Sequence, residues 1–259
     1  MEIQFNSLTV IQGIHSEPRV TLDTISTQPF QALTETNFDV NGLKGFITEV
    51  QDTTLYGILI DGDKYNEVKS MYLGDSLLGA ITSLNIKPLV EHVPDLNQKF
   101  FRFNESAWDC LCRLMSYMPS NFYWYCTPEA IEVIEAPSEF TPFYGSNMKS
   151  SVINNRFIMD GLISESKYNP SYHSIYSVPV NKLAADESLF STDMINNNLQ
   201  NYKNRGLIYQ NTMKIVTMDN YDIGKGLSVN GVNYMVASAA CTYDKNMKLH
   251  TNIYSLIGV

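Results

Sequence analysis

The most regular hydrophobic pattern in the chain lies between Phe100 and Glu135, and it predicts a strand, a helix and two further strands. Four apolar residues at spacings of three and four form the helical stripe: Trp108, Leu111, Met115 and Met118. Asn104 is predicted as the N-cap, because its side-chain oxygen can accept a hydrogen bond from an early helical N–H. The helix is therefore expected to begin near Glu105 and to end before Pro119, which cannot continue a helix. Asp109 and Arg113 are four residues apart in the favourable acid-before-base order, so they are expected to pair on another face of this helix.

Two strands are predicted after this helix. Phe122 to Cys126 is an aromatic run of the kind that strands favour. Ile131 and Val133 alternate with acidic residues, which predicts a strand from Ala130 to Glu135 with one buried face. The turn Thr127-Pro128-Glu129 connects these strands, so the block is expected to end in a hairpin.

The chain before this block shows short alternating segments followed by one helix. The predicted strands are Glu2–Ile11, Arg19–Ile25, Leu43–Val50 and Thr54–Ile60. Ser26 to Asn41 is rich in Thr, Gln and Asn and is predicted to be a long loop. The apolar spacing that follows Gly74 predicts an amphipathic helix over residues 75–86.

The chain after the block is predicted to be β, interrupted by one helix over residues 186–202. The predicted strands are Arg156–Glu165, Tyr172–Val178, Ile208–Met218, Leu227–Val229, Val232–Ser238 and Leu249–Ile257. Asn230-Gly231 is the clearest hairpin signal, because a two-residue type I′ turn needs positive φ at both central positions.

These elements predict a mainly β fold with α insertions, since runs of short strands without intervening helices indicate an antiparallel barrel or sandwich. Residues 141–151 have the Pro, Gly, Ser and Asn content of a linker. Residues 1–140 then form a first β region with the helices 75–86 and 105–118. Residues 152–259 form a second β region with the helix 186–202. Each region is predicted to be a small antiparallel β-barrel-like domain with helical inserts.

Composition and charge narrow the possible functions. The 259 residues carry a net charge of −9, which disfavours a generic nucleic-acid or anionic-membrane binder because both require a basic surface. The sequence contains no apolar window of about 18 residues, and Met1 to Phe5 lacks the basic and apolar character of a signal peptide. The protein is therefore expected to be made in the cytoplasm, with no membrane insertion.

Few residues are candidates for chemistry. Glu105 and Asp109 could act as the acid and base of a glycosidase, but acids near a helix N-terminus are expected without catalysis, and that interpretation is favoured. The four histidines have no metal-binding spacing: His15, His92, His173 and His250. The four cysteines are interpreted as reduced, small hydrophobic residues: Cys110, Cys112, Cys126 and Cys241. No catalytic, cofactor-binding or metal-binding residue is predicted, and no cofactor.

The central block resembles a known family. Asn-Glu-Ser-Ala-Trp-Asp-x-Leu-x-Arg-Leu from residue 104, followed by Phe-Tyr-Trp-Tyr from residue 122, is similar to the hub proteins of contractile injection machines. These are phage baseplate hubs, the late-control D family and the N-terminal part of VgrG spike proteins. With the preceding helix, the resemblance covers Leu73 to Glu135, about a quarter of the chain.

The resemblance implies a non-enzymatic structural role in the virion tail, at the baseplate. It implies a homotrimer of chains with two related β-barrels each, which joins the tail tube protein to the central spike protein and contacts other baseplate proteins. The spike is then expected to be a separate polypeptide. Three chains of −9 carry −27, so DNA is expected to pass through the lumen without specific binding.

Three alternatives remain at this point. One is a cell-wall glycosidase carried in the same apparatus, and another is a different non-enzymatic tail ring or adaptor protein. The third is a β-rich ligand-binding module, which a deep apolar pocket with convergent polar groups would support. The sequence contains no recognisable catalytic motif, and this favours a structural role over the glycosidase.

Overall fold

The computed structural model describes residues 5–25, 35–90, 93, 96–118, 121–143, 151–153, 168–169, 174–175 and 212–259. This part of the protein is mostly β, and its strands pair mainly antiparallel. The helices are α1 (Gly62–Asn66), α2 (Leu77–Ser83) and α3 (Ala107–Met115). The strands before residue 140 are β1 (Phe5–Gly13), β2 (Arg19–Thr24), β3 (Asn37–Val40), β4 (Leu43–Gln51), β5 (Thr54–Ile58), β6 (Lys69–Ser76), β7 (Leu89–Val90), β8 (Asn97–Glu105), β9 (Phe122–Cys126) and β10 (Ile131–Glu135). The later strands are β11 (Thr141–Pro142), β12 (Ser151–Ile153), β13 (Tyr168–Asn169), β14 (Ser174–Ile175), β15 (Thr212–Thr217), β16 (Gly226–Val229), β17 (Val232–Asp244) and β18 (Leu249–Gly258).

One large sheet contains most of the strands. Its order is β12-β15-β18-β17-β1-β2-β5-β4-β3, with β16 pairing to β17 and β11 pairing to β16. The predicted mainly β, antiparallel class is therefore confirmed. The two predicted barrels are not found as closed barrels among the described strands, because β1 pairs with both β2 and β17 and so joins the two halves into one open sheet.

The pairing of β1 with β17 links residues that are far apart in sequence. Ser7 to Gly13 lie opposite Asp244 to Ser238 in antiparallel register. The hydroxyl oxygens of Thr9 and Thr242 lie 3.1 Å apart across this pair, at a sequence separation of 233 residues. This pair is the centre of the sheet.

Each half of the large sheet has its own hydrophobic core. The first core is built from β1 to β5 and includes Leu8, Val20, Leu22, Ile47 and Leu55. The second core is built from β15 to β18 and includes Ile215, Leu227, Val236, Tyr254 and Leu256. The two clusters share no residue, so the sheet has two separate apolar centres.

The predicted linker is partly described. Thr141 and Pro142 pair with β16 in parallel, and Phe143 is buried in the second core. These three residues therefore pack with the second half of the sheet. Residues 144–150 lie outside the described residues, and the division of the chain into two regions stays a prediction.

Two predictions before residue 90 need correction. The region 26–41 is not loop throughout, because Asn37–Val40 forms β3 and pairs with β4, with Phe38 and Val40 buried. The helix 75–86 is shorter than expected. Strand β6 runs through Ser76, whose hydroxyl accepts a hydrogen bond from the Gly79 N–H at 3.1 Å and so starts α2 at Leu77.

Several predictions cannot be compared with the structure. The helix 186–202 and the strand Arg156–Glu165 lie outside the described residues, and so do His92 and His173. In contrast, β9 has the predicted bounds Phe122–Cys126, and β10 pairs with it across the turn at Thr127. In that turn the Thr127 N–H donates to the Ala130 carbonyl at 2.8 Å.

The predicted hairpin at Asn230-Gly231 is confirmed. Asn230 has φ +53° and Gly231 has φ +79°, as a type I′ turn requires. Strands β16 and β17 pair in register on either side, with Val229 opposite Val232.

Substitution of two glycines of this hairpin by alanine is expected to lower the free energy of unfolding by different amounts. A Cβ at Gly231 would meet no atom within 4 Å, so only the positive φ is unfavourable, and we expect Gly231→Ala to cost about 1 kcal/mol. A Cβ at Gly226 would lie 2.2 Å from the Glu139 carbonyl oxygen, so the backbone must move, and we expect Gly226→Ala to cost about 2–3 kcal/mol. Urea unfolding of both variants measures the difference, and the reverse order would contradict the packing at Gly226.

Candidate assembly surface

Strands β6 and β8 form a separate two-stranded ribbon beside α2 and α3. They pair antiparallel from Lys69 opposite Glu105 to Ser76 opposite Asn97, with three register shifts. An isolated two-stranded ribbon is only marginally stable in water. Here Leu73 of β6 and Phe100 of β8 are buried in the same core as α2 and α3, and this anchors the ribbon.

The N-terminus of α3 follows directly after β8. Ser106 is the N-cap: its hydroxyl accepts a hydrogen bond from the Asp109 N–H at 3.0 Å and donates to the Asp109 carboxylate at 2.8 Å. The predicted cap at Asn104 is wrong, because Asn104 still belongs to β8 and has φ +46°. The helix therefore begins at Ala107, and Glu105 is a strand residue.

Arg113 of α3 returns to the end of β8. Its guanidinium contacts Glu105 in a nearly buried ion pair, with 2.5 Å between Nη2 and Oε1 and side chains that are 12% and 18% exposed. Burial is the largest single influence and disfavours the charge, but the hydrogen bond to Glu105 and the nearby Tyr117, Cys110 and Glu105 groups together outweigh burial, so the pKa of Arg113 is raised. The predicted pair of Asp109 with Arg113 is wrong, because Asp109 is used by the cap and the strand supplies the acid.

The same guanidinium binds neutral groups as well. It donates to the Phe101 carbonyl at 2.5 Å and to the Tyr117 hydroxyl at 3.2 Å. It also lies 5.1 Å from the centre of the Phe103 ring. Arg113 therefore fixes the backbone and one ring of β8 against α3.

A second arginine, in β8, binds the chain segment just before β6. Arg102 is 6% exposed and donates to the Glu105 carbonyl at 2.8 Å and to the Glu67 carbonyl at 2.5 Å. Asn104 adds a bond between the strands, since its N–H donates to the Ser70 hydroxyl at 2.8 Å. Arg102 and Asn104 therefore hold β8 to β6 and the residues before it, while Arg113 holds β8 to α3.

The ribbon presents a row of aromatic rings. The ring centres of Tyr72 and Phe101 are 5.2 Å apart, and those of Phe101 and Phe103 are 5.9 Å apart in a stacked arrangement. Tyr72 is 49% exposed, and the two phenylalanines are half-buried. A hydrogen bond with Asp75 raises the pKa of Tyr72 and holds its hydroxyl group.

Further apolar side chains of this region are exposed. Val68 is 54% exposed and Met71 is 44% exposed. We refer to Val68, Met71, Tyr72, Phe101 and Phe103 together as the apolar ribbon. Exposed apolar groups that share a surface mark interaction sites, and the rings of Tyr72 and Phe101 share one. Met71 is the neighbouring residue in regular register and points to the opposite face of the ribbon.

The charge of this region differs from that of the whole chain. Strands β6 and β8 contain Lys69, Lys99 and Arg102 against Asp75 and Glu105, which gives +1. The whole chain carries −9, so the residues outside these two strands carry −10. Lys69 also forms an exposed ion pair with Glu67 at 2.6 Å. The exposed charged residues beside the apolar ribbon are Glu67, Lys69, Asp75 and Lys99, and their charges sum to zero.

The two carboxylates considered for catalysis have structural partners. Glu105 binds Arg113, and Asp109 binds Ser106 at the helix cap. The interpretation of both as helix N-terminal charges holds for Asp109 but not for Glu105, which lies in β8. Their partners explain both residues without a reaction.

The other candidate residues are also placed by the structure. His15 is half-buried, with its ring centre 5.7 Å from that of Tyr123, and His250 is exposed. All four cysteines are free thiols, and burial raises the pKa of Cys110 and of Cys126 to about 12. Within the described ranges no cluster of His, Cys, Asp and Glu could hold a metal ion, and no helix is long and apolar enough to span a membrane.

Comparison with known proteins shows likeness in structure but not in sequence. No protein-family model and no curated protein matches the chain. A tail protein from Neisseria meningitidis MC58 matches over 98% of this chain and 92% of its own, with a TM-score of 0.55 and 11% identity. The 43 kDa tail protein of prophage MuSo2 from Shewanella oneidensis matches over 98% and 94%, with a TM-score of 0.53 and 10% identity.

A third similar structure comes from a secretion system. It is an E. coli protein described as a component of the type VI secretion system with structural similarity to the T4 bacteriophage tail proteins gp27 and gp5. It matches over 99% of this chain and 74% of its own, with a TM-score of 0.50 and 9% identity. Over nearly its whole length, this chain therefore has a fold similar to that of phage tail proteins and of a type VI secretion component.

Proposed function

We propose that this chain is a structural subunit of a phage tail and forms the baseplate hub, a trimeric ring that joins the tail tube to the central spike. The observation that carries the proposal is the fold likeness to tail proteins over 98% of the chain. The block from Asn104 to Tyr125, which resembles the hub family in sequence, supports the same role. Its partners in the virion are the tube protein, the spike protein and other baseplate proteins, and assembly takes place in the host cytoplasm.

The two cores of the large sheet support the proposed symmetry. Each core organises one half of the sheet, as expected if the chain carries two related barrel-like units. Three such chains present six units to a six-fold tube. A closed ring of this kind leaves no unpaired subunit contact.

We expect three copies of the chain in each ring. Single-particle reconstruction of assembled tails, with copy numbers checked by quantitative mass spectrometry against the tube protein, measures this directly. Six or twelve copies per ring would contradict the two-unit argument. A chain that is absent from purified tails would contradict the proposed function as a whole.

The net charge of the chain affects how the lumen of the ring interacts with DNA. Three chains carry −27, and a lumen lined by part of this charge repels phosphate groups. DNA then passes without specific binding. A lumen lined mainly by Lys and Arg in the reconstruction would contradict this part of the proposal and leave the hub role intact.

The purified protein should have no lytic activity towards peptidoglycan. Glu105 and Asp109, the only pair that we considered as acid and base, form an ion pair and a helix cap. Turbidity of a cell-wall suspension measures lysis, with Glu105→Gln as the control variant. Clearing by the wild type that disappears in Glu105→Gln would show an enzyme instead of a structural subunit.

A further inference from the structure

We infer that neighbouring copies of this chain are joined by strand pairing, with β12 of one copy adding to the free edge of β4 in the next copy. The inference rests on the proposed function, since a ring places identical copies side by side. It deepens that proposal, because it names the two strand edges that meet and the register between them.

The large sheet contains the same arrangement of strands twice, apart from the short strand β11. The first five-stranded unit has the order β1-β2-β5-β4-β3, and the second has the order β12-β15-β18-β17-β16. Every neighbouring pair in both units is antiparallel. Each order is therefore first, second, fifth, fourth and third strand of its own unit, so β1 corresponds to β12 and β4 corresponds to β17.

The hairpins that lead into β4 and β17 agree in detail. Both turns have the sequence Val-Asn-Gly, and the φ angles are +52° and +86° at Asn41-Gly42 and +53° and +79° at Asn230-Gly231. Each following strand has a register shift that begins five residues after the turn glycine, at Ile47 and at Val236. A β-bulge at one position of a strand is a specific feature of the backbone, so its occurrence at the same position in both strands supports their equivalence.

Hydrogen bonds beside the two bulges also match. The Glu35 N–H donates to the Ile47 carbonyl at 2.9 Å, and the Gly224 N–H donates to the Val236 carbonyl at 2.8 Å. Glu35 and Gly224 both precede their partner by twelve residues, and both have positive φ, +65° and +87°. The equivalence of β4 and β17 therefore extends to individual backbone groups.

The two units meet where β1 adds to β17. Residues 11–13 lie opposite residues 240–238, and the Ile14 N–H donates to the Ala237 carbonyl at 2.9 Å. β1 shares this edge of β17 with β16, because β18 occupies the other edge. The junction between the units therefore covers the edge of β17 just beyond its bulge.

The counterparts of these two junction strands each lack one neighbour. In the part of the chain that the structure describes, β12 pairs with β15 alone, whereas β1 pairs with both β2 and β17. On the edge that faces β3, residues 48–51 of β4 have no strand partner among the described residues, whereas β1 covers the equivalent residues of β17. Native proteins normally pair, cover or shorten such free edges.

The two free edges complement each other across copies. β12 presents the edge that corresponds to the edge of β1 at the junction, and β4 presents the edge that corresponds to the receiving edge of β17. An unrelated extended segment on β4 would leave β12 of every copy uncovered, whereas pairing of β12 with β4 covers both edges in one contact. A head-to-tail contact of this kind closes when the copies complete a ring. The strand that occupies the β4 edge is therefore β12 of a second copy.

The junction within the chain also predicts the register between copies. Ile11 and Ile153 are equivalent, because each lies opposite the first residue of the next strand in its unit. Gln51 and Ala240 are equivalent, because each is the ninth residue after its turn glycine. Ile11 lies opposite Ala240, so Ile153 of one copy should lie opposite Gln51 of the next.

Disulfide formation in assembled tails tests this register. The Ile14 N–H bonds to β17, and alternation along the strand then places Ile11 and Ala240 in a non-hydrogen-bonded pair. The Cα atoms of such pairs are about 4.5 Å apart, which a disulfide can span. The equivalent double variant, Gln51→Cys with Ile153→Cys, is assembled under reducing conditions and then oxidised. It should give a covalent ring with three times the chain mass, in which position 51 is joined to position 153.

Matched double variants make this result specific. Ile11→Cys with Ala240→Cys introduces the same pair at the junction within one chain, so it should form a disulfide and keep the mass of a single chain. Gln51→Cys with Ser151→Cys moves one thiol by two residues along β12, which is too far for a disulfide, and should give about 10-fold less linked product or below. Gln51→Cys alone should give no linked product.

Two outcomes would overturn the inference and leave the proposed function standing. One is the absence of linked copies from Gln51→Cys with Ile153→Cys in tails where the Ile11→Cys and Ala240→Cys pair is oxidised. The other is linkage of position 51 to a different tail protein. A chain that is absent from tails would instead contradict the proposed function, and the inference with it.

Reconstruction of wild-type tails tests the same contact without substitutions, and so decides the question if the double variant does not assemble. β12 of one copy should lie beside β4 of the next, with Ile153 opposite Gln51. A β4 edge that is free in the ring, or that is covered by another protein, would overturn the inference.

Discussion

Trp108→Ala is expected to lower the free energy of unfolding by about 3–5 kcal/mol, the range for removal of a large buried aromatic side chain. Trp108 is 4% exposed and lies in the core that α2 and α3 share with β8, β9 and β10. Its ring centre is 5.7 Å from that of Trp124, edge to face. Alanine would leave a cavity between the helix and the strand that surrounding side chains cannot fill without moving.

Urea unfolding followed by far-UV circular dichroism measures the Trp108 effect. Leu78→Ala is a suitable control, because Leu78 is a large apolar helix residue that is 53% exposed, and it should cost less than about 1 kcal/mol. A loss below about 1 kcal/mol for Trp108→Ala would mean that the side chain is exposed in solution, which would contradict the helix packing.

Arg113→Met is expected to lower the free energy of unfolding by about 3 kcal/mol. This is the lower end of the range for breaking a buried ion pair, since the side chains of Arg113 and Glu105 are 12% and 18% exposed. The substitution leaves the Glu105 carboxylate, the Phe101 carbonyl and the Tyr117 hydroxyl without their guanidinium partner. Glu105→Gln should cost less, because the amide keeps an acceptor for Arg113.

A double-mutant cycle separates the ion pair from the other contacts of Arg113. Arg113→Met and Glu105→Gln should combine to less than the sum of their single effects, because each removes the same interaction. Additive losses would contradict the pair. Limited proteolysis should also cut β8 faster in Arg113→Met, because the strand loses its attachment to α3.

Local patterns predicted the elements of the central block well. The apolar stripe of α3 is buried as expected at Trp108, Leu111 and Met115, since a helix that covers a sheet must bury the residues at this spacing. The aromatic run of β9 and the positive φ of Asn230-Gly231 were predictable for the same reason, because each depends on neighbouring residues alone.

The charge network of the candidate surface was not predictable in the same way. Spacing alone favoured Asp109 as the partner of Arg113, because residues four apart meet on a helix. Glu105 is eight residues before Arg113 and reaches it only because β8 runs through Glu105 and the chain turns at Ser106. A cap at Asn104, two residues before Ser106, would place Glu105 in the helix, and Asn and Ser are both good caps.

The pairing of strands that are far apart in sequence could not be predicted from local patterns either. Two separate barrels were predicted because each half of the chain contains its own run of strands. The structure instead pairs β1 with β17, and no local signal in Phe5–Gly13 identifies a partner more than 200 residues away. Strand β6 was not predicted, and the predicted helix 75–86 overlaps its last two residues, Asp75 and Ser76.

The pairing of β1 with β17 has a consequence for folding during synthesis. Strands β2 to β5 can assemble on β1 as soon as residues 5–58 have left the ribosome, but the other edge of β1 must wait for residues 238–244. At typical elongation rates, the 233 residues between Thr9 and Thr242 take roughly 10–50 s to appear. Closing so long a loop also slows the pairing of β1 with β17, because the conformational entropy of the loop is lost before the contact forms.

Until β17 appears, the unpaired edge of β1, with the exposed side chain of Ile11, can pair with a strand from another nascent chain. Subunits synthesised on one polysome are therefore at risk of pairing with each other before each can complete its own sheet.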